Sequence, residues 1–195
     1  MEQHVCPWWL AYTFDNPLRR LFHAPEKSLG PYLAEGMTAM DVGCGMGFFS
    51  IGMAKVVGPT GRVISVDLQQ KMLDVLMRRA EKAGVANRIQ THRCEPERIG
   101  LDTSVDFILA FWMVHEAPDA MKLLRELDSY LRPGGKLLIT EPSLHVSAEH
   151  FEETIAGAQQ IGLKLSERPN IRFSMASLFV KTDRRSGGAS ILSPP

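Results

Sequence analysis

Cysteine is scarce in this 195-residue sequence, with Cys6, Cys44 and Cys94 making up the whole set. An odd, sparse set builds no disulfide framework and predicts reduced thiols in a cytoplasmic setting. Charge of one sign is also lacking, since 22 Lys and Arg face 22 Asp and Glu. Bulk positive charge is what a nonspecific nucleic-acid binder relies on, so no nucleic-acid partner is expected. Long hydrophobic runs are missing. The longest is Phe107 to Val114, eight residues, where a membrane span needs about 20. The opening MEQHVCPWW carries an early acid and no basic stretch, which predicts no secretory signal. His4 and Cys6 lie close together, but two ligands do not make a zinc site, and no metal is expected.

What is present is ordinary for one globular domain: 45% apolar and 23% charged residues. Residues 1–36 concentrate aromatics and prolines, including Trp8, Trp9, Tyr12, Phe14 and Pro25. They read as an arm with short helices covering a site, and as a surface for a homodimer contact. Pro25 suits the first turn of a helix running to about residue 35, stopped by Gly36. A regular domain is expected over 37–182. Residues 183–195 are rich in Gly, Ser and Pro without an apolar period, which predicts a disordered tail.

Within 37–182 the apolar pattern alternates between two periods. Strands are expected at 38–42, 62–66, 88–93, 105–111 and 136–140, with a closing pair at 163–168 and 172–180. Helices are expected at 48–57, 69–83, 118–131 and 147–160, the last capped by Ser147. Strands alternating with helices signal an α/β fold, a parallel sheet covered on both faces. Such sheets bind ligands beyond the C-terminal strand ends.

The first strand end carries Asp41-Val42-Gly43-Cys44-Gly45-Met46-Gly47. Glycines there permit a tight turn and close approach of a ligand, and the following helix offers free N–H groups. A dinucleotide fingerprint would place its third glycine three residues after the second, at the position of Phe48. Asp67 ends the second strand, 20 residues after Gly47, where a carboxylate can accept from both hydroxyls of a ribose or cap the next helix. Those two features fit any nucleoside cofactor.

Asp-x-Gly-x-Gly-x-Gly resembles the first motif of class I S-adenosylmethionine (SAM)-dependent methyltransferases. The resemblance extends through Val105–Glu116, through His115-Glu116-Ala117-Pro118-Asp119, and through the turn Leu131-Arg132-Pro133-Gly134-Gly135-Lys136-Leu137. It covers about residues 37–141 and is nearest to small methyltransferases of the ubiquinone/menaquinone type. It implies a Rossmann-like, seven-stranded, mostly parallel sheet in the order 3-2-1-4-5-7-6. It implies SAM as cofactor, S-adenosylhomocysteine as product and a small molecule as acceptor. For cofactor binding it points to Asp41, Gly43, Gly45, Gly47, Asp67, Leu68 and Phe111. The adenine position falls on Cys94 or, with one deletion, on Glu95; Glu95 is preferred because a carboxylate accepts from an amino group better than a thiol does.

Methyl transfer from a sulfonium needs alignment above all, and a base only where the nucleophile carries a proton. The candidates for catalysis are His115, as base or orienting group, Glu141, facing the pocket or paired with a basic side chain, and Tyr12 from the arm. Side chains from Trp112 to Glu116 are expected to face the reacting methyl. Two alternatives stand beside this reading: a non-catalytic SAM-binding subunit and an NAD-dependent oxidoreductase.

Overall fold

The computed structural model describes residues 23–183. Tyr12, Trp8, Trp9, Phe14, the pair His4 and Cys6, and the tail from residue 184 lie outside the described residues.

Seven strands form one sheet: β1 (Thr38–Val42), β2 (Arg62–Asp67), β3 (Ile89–Arg93), β4 (Val105–Phe111), β5 (Leu131–Pro142), β6 (Leu163–Glu167) and β7 (Ser174–Lys181). Their order is β3-β2-β1-β4-β5-β7-β6. β1 to β5 pair in parallel, and β7 runs antiparallel to both β5 and β6. This is the expected order. The helices are α1 (Pro25–Leu29), α2 (Phe48–Val56), α3 (Gln70–Lys82), α4 (Ala120–Tyr130) and α5 (Ala148–Gln160).

The alternation of side chains along the central strands sorts the core into two layers. Ala39, Val63, Phe107, Leu109 and Leu138 point to one face, where Met53 of α2 and Leu73 and Leu76 of α3 cover them. Met40, Ile64, Ile108, Leu137 and Ile139 point to the other, under Leu124 and Leu127 of α4 and Phe151 and Ile155 of α5. Both faces of β4 are therefore apolar, which is why its sequence is a continuous hydrophobic run. Asp119 and Ser147 cap α4 and α5, accepting from the N–H of Lys122 and His150 at 2.8 and 3.1 Å.

Two elements differ from expectation. Helix α1 ends at Leu29 rather than near residue 35. Pro31 lacks the N–H that the next turn would need. Leu29 and Leu33 are nonetheless buried in the core beside α2, so part of residues 23–36 is packing rather than cover. The turn expected at 132–135 lies inside β5. The ladder pairs Val105 with Leu131 and resumes at Phe107 with Lys136. Pro133 has no N–H to give to a ladder, and Arg132 reaches across to Asp106 at 2.6 Å. The extra residues bulge out without ending the strand.

The parallel strands all finish at one edge. The chain leaves β1 toward β2 on one side of the sheet and leaves β4 toward β5 on the other, so the loops after β1 and β4 stand side by side there.

Candidate active site

The loop Gly43–Gly47 turns from β1 into α2 through left-handed glycines. At Gly47 the backbone has φ +82, and an added Cβ would overlap Leu76 Cγ of α3. At Gly45 (φ +52) a Cβ would meet nothing within 4 Å. One glycine is needed for packing; the other leaves its face open to the cavity.

Asp67 fixes this loop. Its Oδ2 accepts from the Gly45 N–H at 2.9 Å and its Oδ1 from the Gln69 N–H at 2.8 Å. The carboxylate thus caps the turn into α3 and tethers the glycine loop at once. Burial raises its pKa, against the lowering effect of these backbone donors. The Leu68 N–H also bears on it; a carboxylate offers about four lone-pair sites, so these amides leave room for a further donor. Asp41 lies deeper, at the end of a buried chain in which Ser65 Oγ donates to Ser50 Oγ at 2.9 Å and Ser50 Oγ donates to Asp41 at 2.5 Å.

A cavity of about 1100 Å³ opens over these residues. Single-ligand pockets span roughly 300–1000 Å³, so it has the capacity for a nucleoside cofactor and a second small molecule. One wall is the β3–β4 loop with Cys94 and Glu95; another is the segment after β4. Burial pushes the Cys94 thiol up to about 11.

Half-buried His115 on that second wall pairs with a buried acid behind it. Glu141, 1% exposed at the end of β5, accepts from the His115 N–H at 3.0 Å and lies 2.6 Å from His115 Nδ1. The bond to Glu141 raises the imidazole pKa above its ordinary value, with burial working the other way. Glu141 holds the Nδ1 proton, so Nε2 is the nitrogen left to exchange a proton.

The methyltransferase domain profile matches residues 33–171. The chain belongs to the methyltransferase-domain family. It is 35% identical to demethylmenaquinone methyltransferase of Lactobacillus johnsonii over 109 residues, covering 55% of this chain and 45% of that protein. It is 32% identical to the same enzyme of Halalkalibacterium halodurans over 109 residues, 56% and 44% of the two chains. The chain thus spans about half the length of the curated relatives it matches. Among solved structures, a SAM-dependent methyltransferase from Aquifex aeolicus superposes with a TM-score of 0.81 at 26% identity, over 90% of this chain and 99% of that one. Aeropyrum pernix fibrillarin, solved with SAM bound, shares the fold at a TM-score of 0.61 and 19% identity, over 75% and 67% of the two chains. The resemblance read from the motifs is borne out.

The methyltransferase fold brings most of the sequence-predicted site residues to one cavity. Asp41, Gly43, Gly45, Asp67 and Leu68 line it, as do Glu95, Phe111 and His115. Gly47 lies behind it, against α3. Glu141 is not on the wall and reaches the cavity through His115. Of Trp112 to Glu116, Val114 turns away into the core at 2% exposure, while Trp112, Met113, His115 and Glu116 face the cavity.

Three features of the methyltransferase site were not legible in the sequence. Trp112 has φ 58, strained for a bulky side chain. It is held there by its N–H on Thr140 O at 2.8 Å and its indole N–H on Ser174 Oγ at 2.9 Å. His145, from the loop after β5, packs edge-on against His115 with ring centroids 5.1 Å apart. Glu116 stands on the cavity as expected; what the structure adds is its raised pKa, caused first by burial. The proximity of both to strand ends was the available signal.

Proposed function

We propose that this domain transfers a methyl group from SAM to a small acceptor, with His115 taking the proton of the acceptor's nucleophile. One observation carries the reading: a Glu141-oriented imidazole opens on the same cavity as the glycine loop and the Asp67 carboxylate. When bound, SAM supplies an electrophilic sulfonium methyl and a thioether leaving group, so the protein's task is alignment, proton removal and exclusion of water. Asp67 accepts from the ribose with the lone-pair capacity its backbone contacts leave over. The turn around Gly43 and Gly45 receives the amino-acid end, and Asp41, braced by Ser50, stands beneath it. Glu95 suits the adenine amino group better than Cys94, whose thiol stays protonated. Leu68 and Phe111 add apolar contact. At the acceptor end, Trp112, Met113 and Phe173 add apolar surface to the cavity that His115 lines, which favours an acceptor with an apolar part and one ionisable nucleophile. His23 packs edge-on to Phe111 and Trp112 at 5.4 and 5.5 Å and closes that side of the apolar surface.

The test has two arms. Calorimetry should show S-adenosylhomocysteine binding far more tightly than NAD. Incubation with methyl-labelled SAM and fractionated small metabolites should label one fraction. His115→Gln should lose roughly 10²–10⁴ in turnover, the usual worth of a general base, with cofactor affinity retained. Preference for NAD, or full turnover in His115→Gln, would refute the assignment.

A further inference from the structure

Helix α4 follows the His115 segment directly and presents Lys122, Glu126 and Tyr130 at four-residue spacing, hence on one face. All three grip the β3–β4 loop, the wall that carries Glu95. Lys122 Nζ donates to Glu97 at 3.0 Å. Glu126 accepts from the Ile99 N–H at 3.0 and 3.1 Å and from the Gly100 N–H at 3.0 Å. The Tyr130 hydroxyl donates to Glu126 at 2.7 Å and accepts from the Leu101 N–H at 3.2 Å. From the sheet side, His92 Nε2 lies 2.6 Å from Ile99 O. The loop has little packing of its own: residues 95–98 are exposed and Ile99 is its buried foot. At its start the Cys94 N–H donates to Asp67 O at 3.1 Å, and Glu95 and Arg98 close a reciprocal backbone pair. The far end of that turn, at Ile99 and Gly100, is held from outside by Glu126.

We propose that Glu126, closed by Tyr130, is a positioning residue for cofactor affinity: it holds the β3–β4 loop in the shape that presents Glu95 to the nucleoside. This rests on the methyltransferase reading above. Burial works to raise the Glu126 carboxyl, but the Gly100, Tyr130 and Ile99 donors together outweigh it and keep the pKa below its ordinary value. The three donors converge on a carboxylate and would lose it together on substitution. Both walls of the cavity thus hang on one helix, the His115 segment at its start and the nucleoside loop along its side.

The experiment measures the affinity of S-adenosylhomocysteine and of 5′-methylthioadenosine by calorimetry in the full chain. The variants are Glu126→Gln, Glu126→Ala, Tyr130→Phe, Glu95→Ala and the Glu95→Ala/Glu126→Ala double. Glu126→Ala should weaken both ligands by the same factor, about tenfold or more, the worth of the one charge-assisted bond that Glu95 would lose. Glu126→Gln and Tyr130→Phe keep the side-chain volume and should give smaller losses with thermal stability nearly intact. The double variant should bind no worse than Glu126→Ala, because Glu126 acts through Glu95. Unchanged affinity in every Glu126 variant, or additive losses in the double, would overturn the proposal and leave the proposed function standing. A wild-type chain that binds neither ligand would overturn both.

Discussion

Glu141→Gln separates a working acid–imidazole pair from a packing contact. Glu141 has two oxygens for two donors of one residue, the main-chain N–H and Nδ1 of His115. Glutamine preserves volume but has one acceptor oxygen, so its NH₂ must face a donor or turn the imidazole. The imidazole would then accept at Nδ1 and carry its proton on Nε2, where it no longer serves as a base. The side chains are 15% and 2% exposed, so water compensates little. Losing the charge-assisted bond costs about 1.5–3 kcal/mol. At about 2–4 °C per kcal/mol for a chain this size, Tm falls by roughly 3–12 °C. Proton-detected NMR titration of the imidazole resonances, assigned with His115→Gln, reads the pair without any acceptor. In the wild type His115 should titrate above the ordinary value of about 6.5; in Glu141→Gln it should fall, because the raising partner is gone and burial remains. The linkage has a sign. A raised imidazole pKa contributes stability that is fully present below about pH 6.5 and is lost as pH rises through the folded-state value. The stability gap between wild type and variant should be widest near about pH 6 and should narrow above it. Turnover should move oppositely, rising with pH as Nε2 loses its proton. An unshifted resonance with a stability gap constant in pH would refute the pairing argument.

Asp67→Ala should cost about 1.5–3 kcal/mol for each ribose hydroxyl it releases, read as weaker S-adenosylhomocysteine binding by calorimetry; unchanged affinity sinks the ribose assignment. Gly47→Ala should destabilise the fold by about 1–3 kcal/mol from overpacking against Leu76, with strain at φ +82 adding to it; urea unfolding decides, and a neutral result would mean α3 gives way. Ser50→Ala removes the middle of the Ser65–Ser50–Asp41 chain and should cost about 1–3 kcal/mol. The same urea curves measure it, and a gain in stability would contradict the buried-network account.

The strands and helices were legible because a doubly covered parallel sheet prints its burial on the chain. β1 and β4 run as expected to the residue, and the glycine loop and Asp67 stand at strand ends, where topology gathers ligand contacts. Boundaries slipped where covalent and tertiary detail outweighed pattern. Pro31 cut α1 short, and Arg132 with Asp106 kept the residues around Pro133 within β5.

For His115 and Glu141, the sequence set the residue types and placed both just beyond strand ends, and left open whether they act on substrate or on each other. They are 26 residues apart, and only the adjacency of β4 and β5 in the sheet brings them to 2.6 Å. The left-handed Trp112 and the grip of Glu126 on Ile99 and Gly100 belong to the same class. Local propensity is a property of neighbouring residues, and a strand end can be read from them. A hydrogen bond between distant segments exists only once the sheet order has set which loops meet.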